Sequence, residues 1–402
     1  MKTHHSLPIL LVLAACGDAT TSIPAVTDFV DTGDASLDLP DVGEGTDTDV
    51  VSEEDASDVA PDTSEADAAD AADPDVVQDT GIDDAQTDTA ESDVDEPDAV
   101  EDVPPDAESD TGVARWLSGP ADTLGPYAVE TLAETATTSV QDVDLTIYLP
   151  DGDDAPYPIV FFNHGFQMSA AGYPAYGQRL ASHGIVAVLP TIGDSLLSSR
   201  THNELAAIQS DLNTWVETAA TSGPLAGQII PELLGAGGHS RGGKQVLLNL
   251  ATDDRVVAAF LVDPVDSAPP FGGNAEDYPS VTPELMGSVT ALTGYIGAGR
   301  GAEATFGPAC APSDDNYHAY FVQSASPSFE LVVPTAGHND FVEVCDFICD
   351  FACVNGDDRD QALGLAIAAM TAFYKVHLAG DATYQSWIDG SDVPSYARYT
   401  TR

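Results

Sequence analysis

The chain has 402 residues, 67 of them acidic and only 12 basic, for a formal net charge of −55. A charge of that sign repels polyanions and excludes nucleic acid as a natural partner. Hydrophobic residues make up 43% of the sequence, enough at this length for a large core.

Residues 1–16 read MKTHHSLPILLVLAAC, a lysine, a short apolar run and small residues before a cysteine. The run is too short to span a bilayer and has the layout of a secretory signal. Leu13-Ala14-Ala15-Cys16 is similar to the bacterial lipobox. That resemblance implies cleavage after residue 15 and acylation of Cys16, with several acyl chains holding the protein on a lipid bilayer. Gly17 in place of Asp after the cysteine favours the outer membrane, at its periplasmic face or the cell surface.

The composition then changes completely. Between Asp18 and Asp110 there are 33 acidic residues and no lysine or arginine. Like charges and scarce aromatics leave too little apolar surface to offset the entropy of ordering. Residues 16–112 are therefore expected to form a disordered tether, spanning on the order of 50–60 Å before charge repulsion extends it. No EF-hand or Gly-Asp nonapeptide register accompanies the carboxylates, so no dedicated calcium site is expected.

Residues 113–402 show no second break in composition and are read as one catalytic domain. Residues 143–149 alternate like a strand with one wet face and stop at Pro150. Residues 158–162 (PIVFF), 185–189 (IVAVL) and 256–262 (VVAAFLV) are continuous apolar runs, as in parallel strands buried on both faces. Residues 233–239, 289–296 and 329–333 are further strands. Helical patterns occupy 172–183, 201–218 with a cap at Thr201, and 361–378. Alternation of strands and helices predicts a mostly parallel sheet with helices on both faces.

The chemistry centres on Gly238-His239-Ser240-Arg241-Gly242, which fits the G-x-S-x-G nucleophile elbow. A serine on a tight strand-to-helix turn needs neighbours without a Cβ, and the helix start behind it favours a developing oxyanion. Gly238 to Lys244 also fits G-x-x-x-x-G-K, but Gln245 stands where a phosphate-binding loop needs Ser or Thr for Mg²⁺.

Serine needs a base, and the base needs a carboxylate to fix its tautomer. Among the histidines, His338 alone follows a late buried strand through a glycine and is the expected base. His239 is expected beneath the nucleophile, and His164 in the turn that shapes the oxyanion loop. His318, in a loop, is a weaker candidate for the base. His183, His202 and His377 fall in or beside helices, as surface or core-edge residues. Three acids remain open: Asp263 ends a strand, Asp266 lies three residues on, and Glu303 follows the next strand.

The stretches PIVFFNHGF, LASHGIVAVLP, GHSRGGK, LVDPVD, YIGAGRG, CAPSDDNYHAYF and AGHNDFVE resemble the chlorophyllase family of α/β-hydrolases, and more distantly cutinase-like polyesterases and dienelactone hydrolases. The resemblance implies an α/β-hydrolase fold and a serine esterase that needs no cofactor. It assigns Ser240 as nucleophile, Asp263 as acid and His338 as base. It also implies an oxyanion hole from the backbone N–H groups of Phe166 and Arg241. The substrate is then a small-molecule or polymeric ester. Residues 263–289 contain no amphipathic helix long enough for a lid, so an open cleft is expected.

Cys310, Cys345, Cys349 and Cys353 remain. In an exported chain they predict two disulfides, with the pairing open among three connectivities. Tetrahedral zinc sites use closer pairs than Cys-x₃-Cys, so no metal is expected. The rival reading of the whole chain is a surface binding or adhesion protein that keeps a hydrolase fold without turnover.

Overall fold

The computed structural model describes residues 116–402, apart from 194–198, 270–272, 306 and 346. The expected signal segment (1–15), Cys16 and the acidic tether (16–112) lie outside the described residues.

In chain order the strands are β1 (Ala128–Thr137), β2 (Asp142–Asp151), β3 (Tyr157–Asn163), β4 (Val186–Thr191), β5 (Ile229–His239), β6 (Ala258–Val262), β7 (Leu292–Ala298), β8 (Ser328–Val333) and β9 (Arg398–Thr401). The helices are α1 (Pro174–Ser182), α2 (His202–Ala219), α3 (Arg241–Leu250), α4 (Tyr317–Phe321), α5 (Phe347–Ala352), α6 (Arg359–His377) and α7 (Gln385–Ile388). Across the sheet the strands run β1-β2-β4-β3-β5-β6-β7-β8-β9. From β4 to β8 every pairing is parallel. The remaining pairings, at β1, β2 and β9, are antiparallel.

The apolar runs explain the centre of the sheet. All seven residues of β3 are buried. Successive side chains point to opposite faces of a strand. Val160 and Phe162 accordingly join a core with α1 and α6, while Ile159 and Phe161 join a second core with α2 and α3. A strand buried on both faces has no wet side to alternate toward. The architecture is that of an α/β-hydrolase.

Helix α2 begins where its cap predicts. Thr201 Oγ1 accepts from the Glu204 N–H at 3.1 Å, and Glu204 Oε2 accepts from the Thr201 N–H at 2.8 Å. This reciprocal capping box satisfies two orphan donors of the first turn and contributes about 1 kcal/mol.

The edge strands β1 and β9 escape a reading of apolar runs, because they are largely exposed. Two histidines also depart from expectation. His183 and His202 are fully buried rather than at the surface or core edge. His183 Nε2 donates to the Thr123 carbonyl at 3.0 Å, and its Nδ1 accepts from Tyr384 Oη at 2.9 Å. Burial, the larger cause, lowers the pKa of His183 to about 4, so the ring stays neutral. The helical period placed these rings near the surface because it could not foresee residues 116–127 packing over the end of α1 at His183, or Tyr278 packing edge-on against His202. The 116–127 segment is held by the Arg179 guanidinium on the Ala121 carbonyl at 2.5 Å and by Lys375 Nζ on the Leu117 carbonyl at 3.1 Å.

Candidate active site

Parallel α/β sheets place their chemistry in the loops at the carboxyl ends of the strands. Here four such ends converge. The turn 163–167 follows β3, Ser240 follows β5, Asp263 follows β6, and His338 lies in the short helix His338–Phe341 after β8.

Ser240 has φ 56° and ψ −125°. Backbone in that region costs a non-glycine residue on the order of 1–3 kcal/mol, and it persists only where the surroundings impose it. The surroundings are close backbone. A Cβ at Gly242 would collide with the Asn163 and His164 carbonyls, and one at Gly238 with the Asn163 carbonyl and Gly242. Ser240 N–H donates to the Val262 carbonyl at 3.0 Å, which pins the elbow to β6. Its side chain is left half-buried at the mouth of the site.

From Ser240 a hydrogen-bonded chain runs inward. The Ser240 hydroxyl lies 2.9 Å from His338 Nε2, and His338 Nδ1 lies 2.6 Å from Asp263 Oδ2. Asp263 is fully buried, and its Oδ1 accepts from the Ala298 N–H at 3.0 Å. Its own φ is 40°, a second strained residue in the same site. A buried carboxylate on Nδ1 holds the proton there and leaves the Nε2 lone pair facing the serine hydroxyl. That is the arrangement general-base activation of a serine requires.

The other candidate acids and bases sit elsewhere. Asp266 forms a buried ion pair with Lys244 at 3.1 Å and accepts from the Val281 and Thr282 N–H groups. Glu303 is exposed and pairs with Arg300 at 3.2 Å. His318 lies on α4 and pairs with Glu330 at 3.0 Å. The same Lys244–Asp266 pair disposes of the phosphate-loop reading, since that lysine is spent inside the protein.

Phe166 and Arg241, the expected oxyanion donors, are neighbours. Arg241 opens α3, and its guanidinium lies 5.2 Å from the centre of the Phe166 ring. The turn that carries Phe166 is braced by His164, whose Nδ1 donates to the Gly165 carbonyl at 2.8 Å and whose Nε2 accepts from the Ile192 N–H at 3.0 Å.

Two disulfides resolve the open connectivity as Cys310–Cys353 and Cys345–Cys349. They bear on the loop behind His338, because Asn339 Nδ2 donates to the Cys349 carbonyl at 2.7 Å and contacts Cys353 Sγ at 3.2 Å. Among the described residues no group of three His, Cys, Asp or Glu could hold a metal ion, and no helix is long and apolar enough to cross a membrane. Between Asp263 and β7 the described residues form only the one-turn helix Met286–Ser288.

The chlorophyllase family model matches residues 122–394, a span that takes in all four strand ends. This chain belongs to the chlorophyllase family. It is thereby an α/β-hydrolase of the ester-hydrolase class. Chlorophyllase-2 of Arabidopsis thaliana is 24% identical over 247 residues, covering 57% of this chain and 76% of the relative. Chlorophyllase-1, chloroplastic, of Citrus unshiu is 26% identical over 274 residues, covering 65% and 82%. Chlorophyllase type 0 of Chenopodium album is 25% identical over 201 residues, covering 46% and 56%. Within the family frame, Tyr173 is the buried neighbour of the site that no motif announces. Nothing in GYPAYG separates a site tyrosine from an ordinary helix residue.

Proposed function

We propose that the chain is a serine carboxylic-ester hydrolase working through Ser240, His338 and Asp263. The observation that carries this reading is the continuous hydrogen-bonded chain from a strained, half-buried serine through a histidine to a fully buried aspartate. In the proposed reaction His338 Nε2 takes the Ser240 proton as Oγ attacks the ester carbonyl. Asp263 holds the resulting imidazolium in place. The N–H groups of Phe166 and Arg241 receive the oxyanion. His338 then protonates the departing alcohol, and an acyl-enzyme remains. A water deprotonated by His338 attacks it, the acid is released, and Ser240 regains its proton.

The relatives are named chlorophyllases, and at 24–26% identity that name supports ester hydrolysis without selecting the alcohol or the acyl group. A small-molecule or polymeric ester is the proposed substrate class. Fluorophosphonates react covalently with activated serines. The full chain is expected to be labelled stoichiometrically at Ser240, as mapped by mass spectrometry of the labelled peptide. A folded, disulfide-intact protein that resists labelling would instead point to a silent surface-binding protein.

We further propose that residues 1–15 are a lipoprotein signal, that Cys16 carries the lipid, and that residues 16–112 are an acidic tether. The support is the lipobox-like Leu13-Ala14-Ala15-Cys16 and the 93-residue stretch from Asp18 to Asp110 without a basic residue. The protein would then be an exported bacterial lipoprotein of the outer membrane. In a bacterial host, metabolic labelling with a palmitate analogue should mark the full chain and be lost in Cys16→Ala. Equal labelling of both would rule the anchor out.

A further inference from the structure

The residue before the nucleophile, His239, is fully buried, and so is Tyr173 on the far side of the oxyanion turn. His239 Nε2 donates to the His338 backbone carbonyl at 3.0 Å. A carbonyl only accepts, so Nε2 carries the ring proton and Nδ1 is the acceptor. That Nδ1 lies 2.8 Å from Tyr173 Oη, which therefore donates to it. Tyr173 Oη in turn accepts from the Gly165 N–H at 3.2 Å. Met168 Sδ also lies 2.8 Å from this hydroxyl, but a thioether is the weaker acceptor.

The result is one directed chain: Gly165 N–H to Tyr173 Oη–H to His239 Nδ1, then Nε2–H to the His338 carbonyl. Its two ends and its middle lie at the carboxyl ends of three different strands. Gly165 immediately precedes Phe166, His239 immediately precedes Ser240, and His338 is the proposed base.

We propose that Tyr173 and His239 are positioning residues that set the oxyanion turn, the nucleophile and the base at fixed distances from one another. The proposal rests on the Ser240–His338 reading above. Neither side chain hydrogen-bonds a reacting atom; both act through the backbone they hold, and His239 also through its ring beside that of His338.

Two further observations fit that role. The His239 and His338 rings lie 4.7 Å apart at a 35° tilt, so any shift of one is felt by the other. Burial, and after it the neighbouring His338, pushes the His239 pKa well below the ordinary histidine value. A ring kept neutral adds no like charge beside the imidazolium formed when His338 takes the serine proton. Burial also pushes the Tyr173 phenol up, so it remains a donor.

The test measures kcat and KM for a p-nitrophenyl ester, with sites counted by fluorophosphonate titration so that misfolded protein is excluded. Tyr173→Phe deletes one oxygen, and His239→Leu removes both ring bonds. Each should lower kcat per titrated site roughly 10- to 100-fold, the scale of small misplacements of reacting groups. KM should stay within about twofold, because ground-state binding is untouched. His239→Gln keeps an N–H that reaches the His338 carbonyl and should recover a large part of the loss. The double variant Tyr173→Phe/His239→Leu should be no worse than the lower single variant, as members of one chain are not additive.

A kcat per site within about twofold of wild type in both single variants would overturn the proposal, even if their melting temperatures fell. If His239→Leu does not fold, the Tyr173→Phe result alone decides. Failure of the underlying triad reading is distinguishable. The wild-type chain would itself neither be labelled nor turn over, and the positioning role would fall with it.

Discussion

Ser240→Ala should lower kcat on the order of 10⁴- to 10⁶-fold and leave the fold intact. The size follows from what the hydroxyl does in the proposed reaction. It forms the covalent bond to the acyl group, and with it gone His338 has nothing to activate but water. The oxyanion donors and substrate binding remain, which accounts for residual activity above the uncatalysed rate. The substitution is small and sits at a half-buried mouth, but the φ of 56° is a conformation that alanine also dislikes. Circular dichroism and thermal melting should therefore accompany the kinetics. Turnover near the wild-type level in a well-folded Ser240→Ala protein would remove the serine mechanism altogether.

Asp263→Asn should cost on the order of 10⁴-fold in kcat with the geometry nearly unchanged. Asn is almost isosteric with Asp, and Oδ1 could still accept from the Ala298 N–H, now 3.0 Å away. The amide nitrogen would then face His338 Nδ1 at the present Oδ2 position and donate to it. That forces the ring proton onto Nε2, where it points at Ser240 and blocks proton abstraction. No buried negative charge would remain to offset the imidazolium. Asp266→Asn and Glu303→Gln provide the contrast. Glu303→Gln alters an exposed pair and should leave kcat within about twofold. Asp266→Asn strands Lys244 in the interior, so its damage should appear chiefly as lost stability, by several kcal/mol. A larger loss of kcat per active site in Asp266→Asn than in Asp263→Asn would reassign the acid.

Much of the parallel sheet was legible because burial on both faces leaves a one-dimensional trace. The runs at 158–162, 185–189 and 256–262 need no partner to be recognised, since all their positions but the exposed Val257 are buried. The elbow was legible for a similar reason. Gly238 and Gly242, on either side of Ser240, are demanded by the Asn163 carbonyl that a Cβ at either would strike, and that demand is written into adjacent residues. Edge strands leave no such trace. β9 has only one partly buried residue in four, and it exists because β8 offers an unpaired edge. The short helices α4, α5 and α7 hold too few turns for a period to show.

Local pattern sufficed for the fold class, for the family resemblance, and for the expectation that a serine, a histidine and an acid would meet at the carboxyl edge of a sheet. These follow from local patterns: apolar runs, glycines beside a strained serine, and chain order. The residues left three acids open and the resemblance favoured Asp263; the folded chain places Asp263 against His338, pairs the cysteines, and buries His183 and His202. Each of those depends on the direction of a side chain relative to a segment distant in the chain. Asp263 and Asp266 stand three residues apart in one loop, yet one meets β7 and His338 while the other meets Lys244 of α3. The stitch through Tyr173 and His239 has the same origin. Its long-range bonds join residues 66 and 99 positions apart in the chain, and no spacing in the sequence records it.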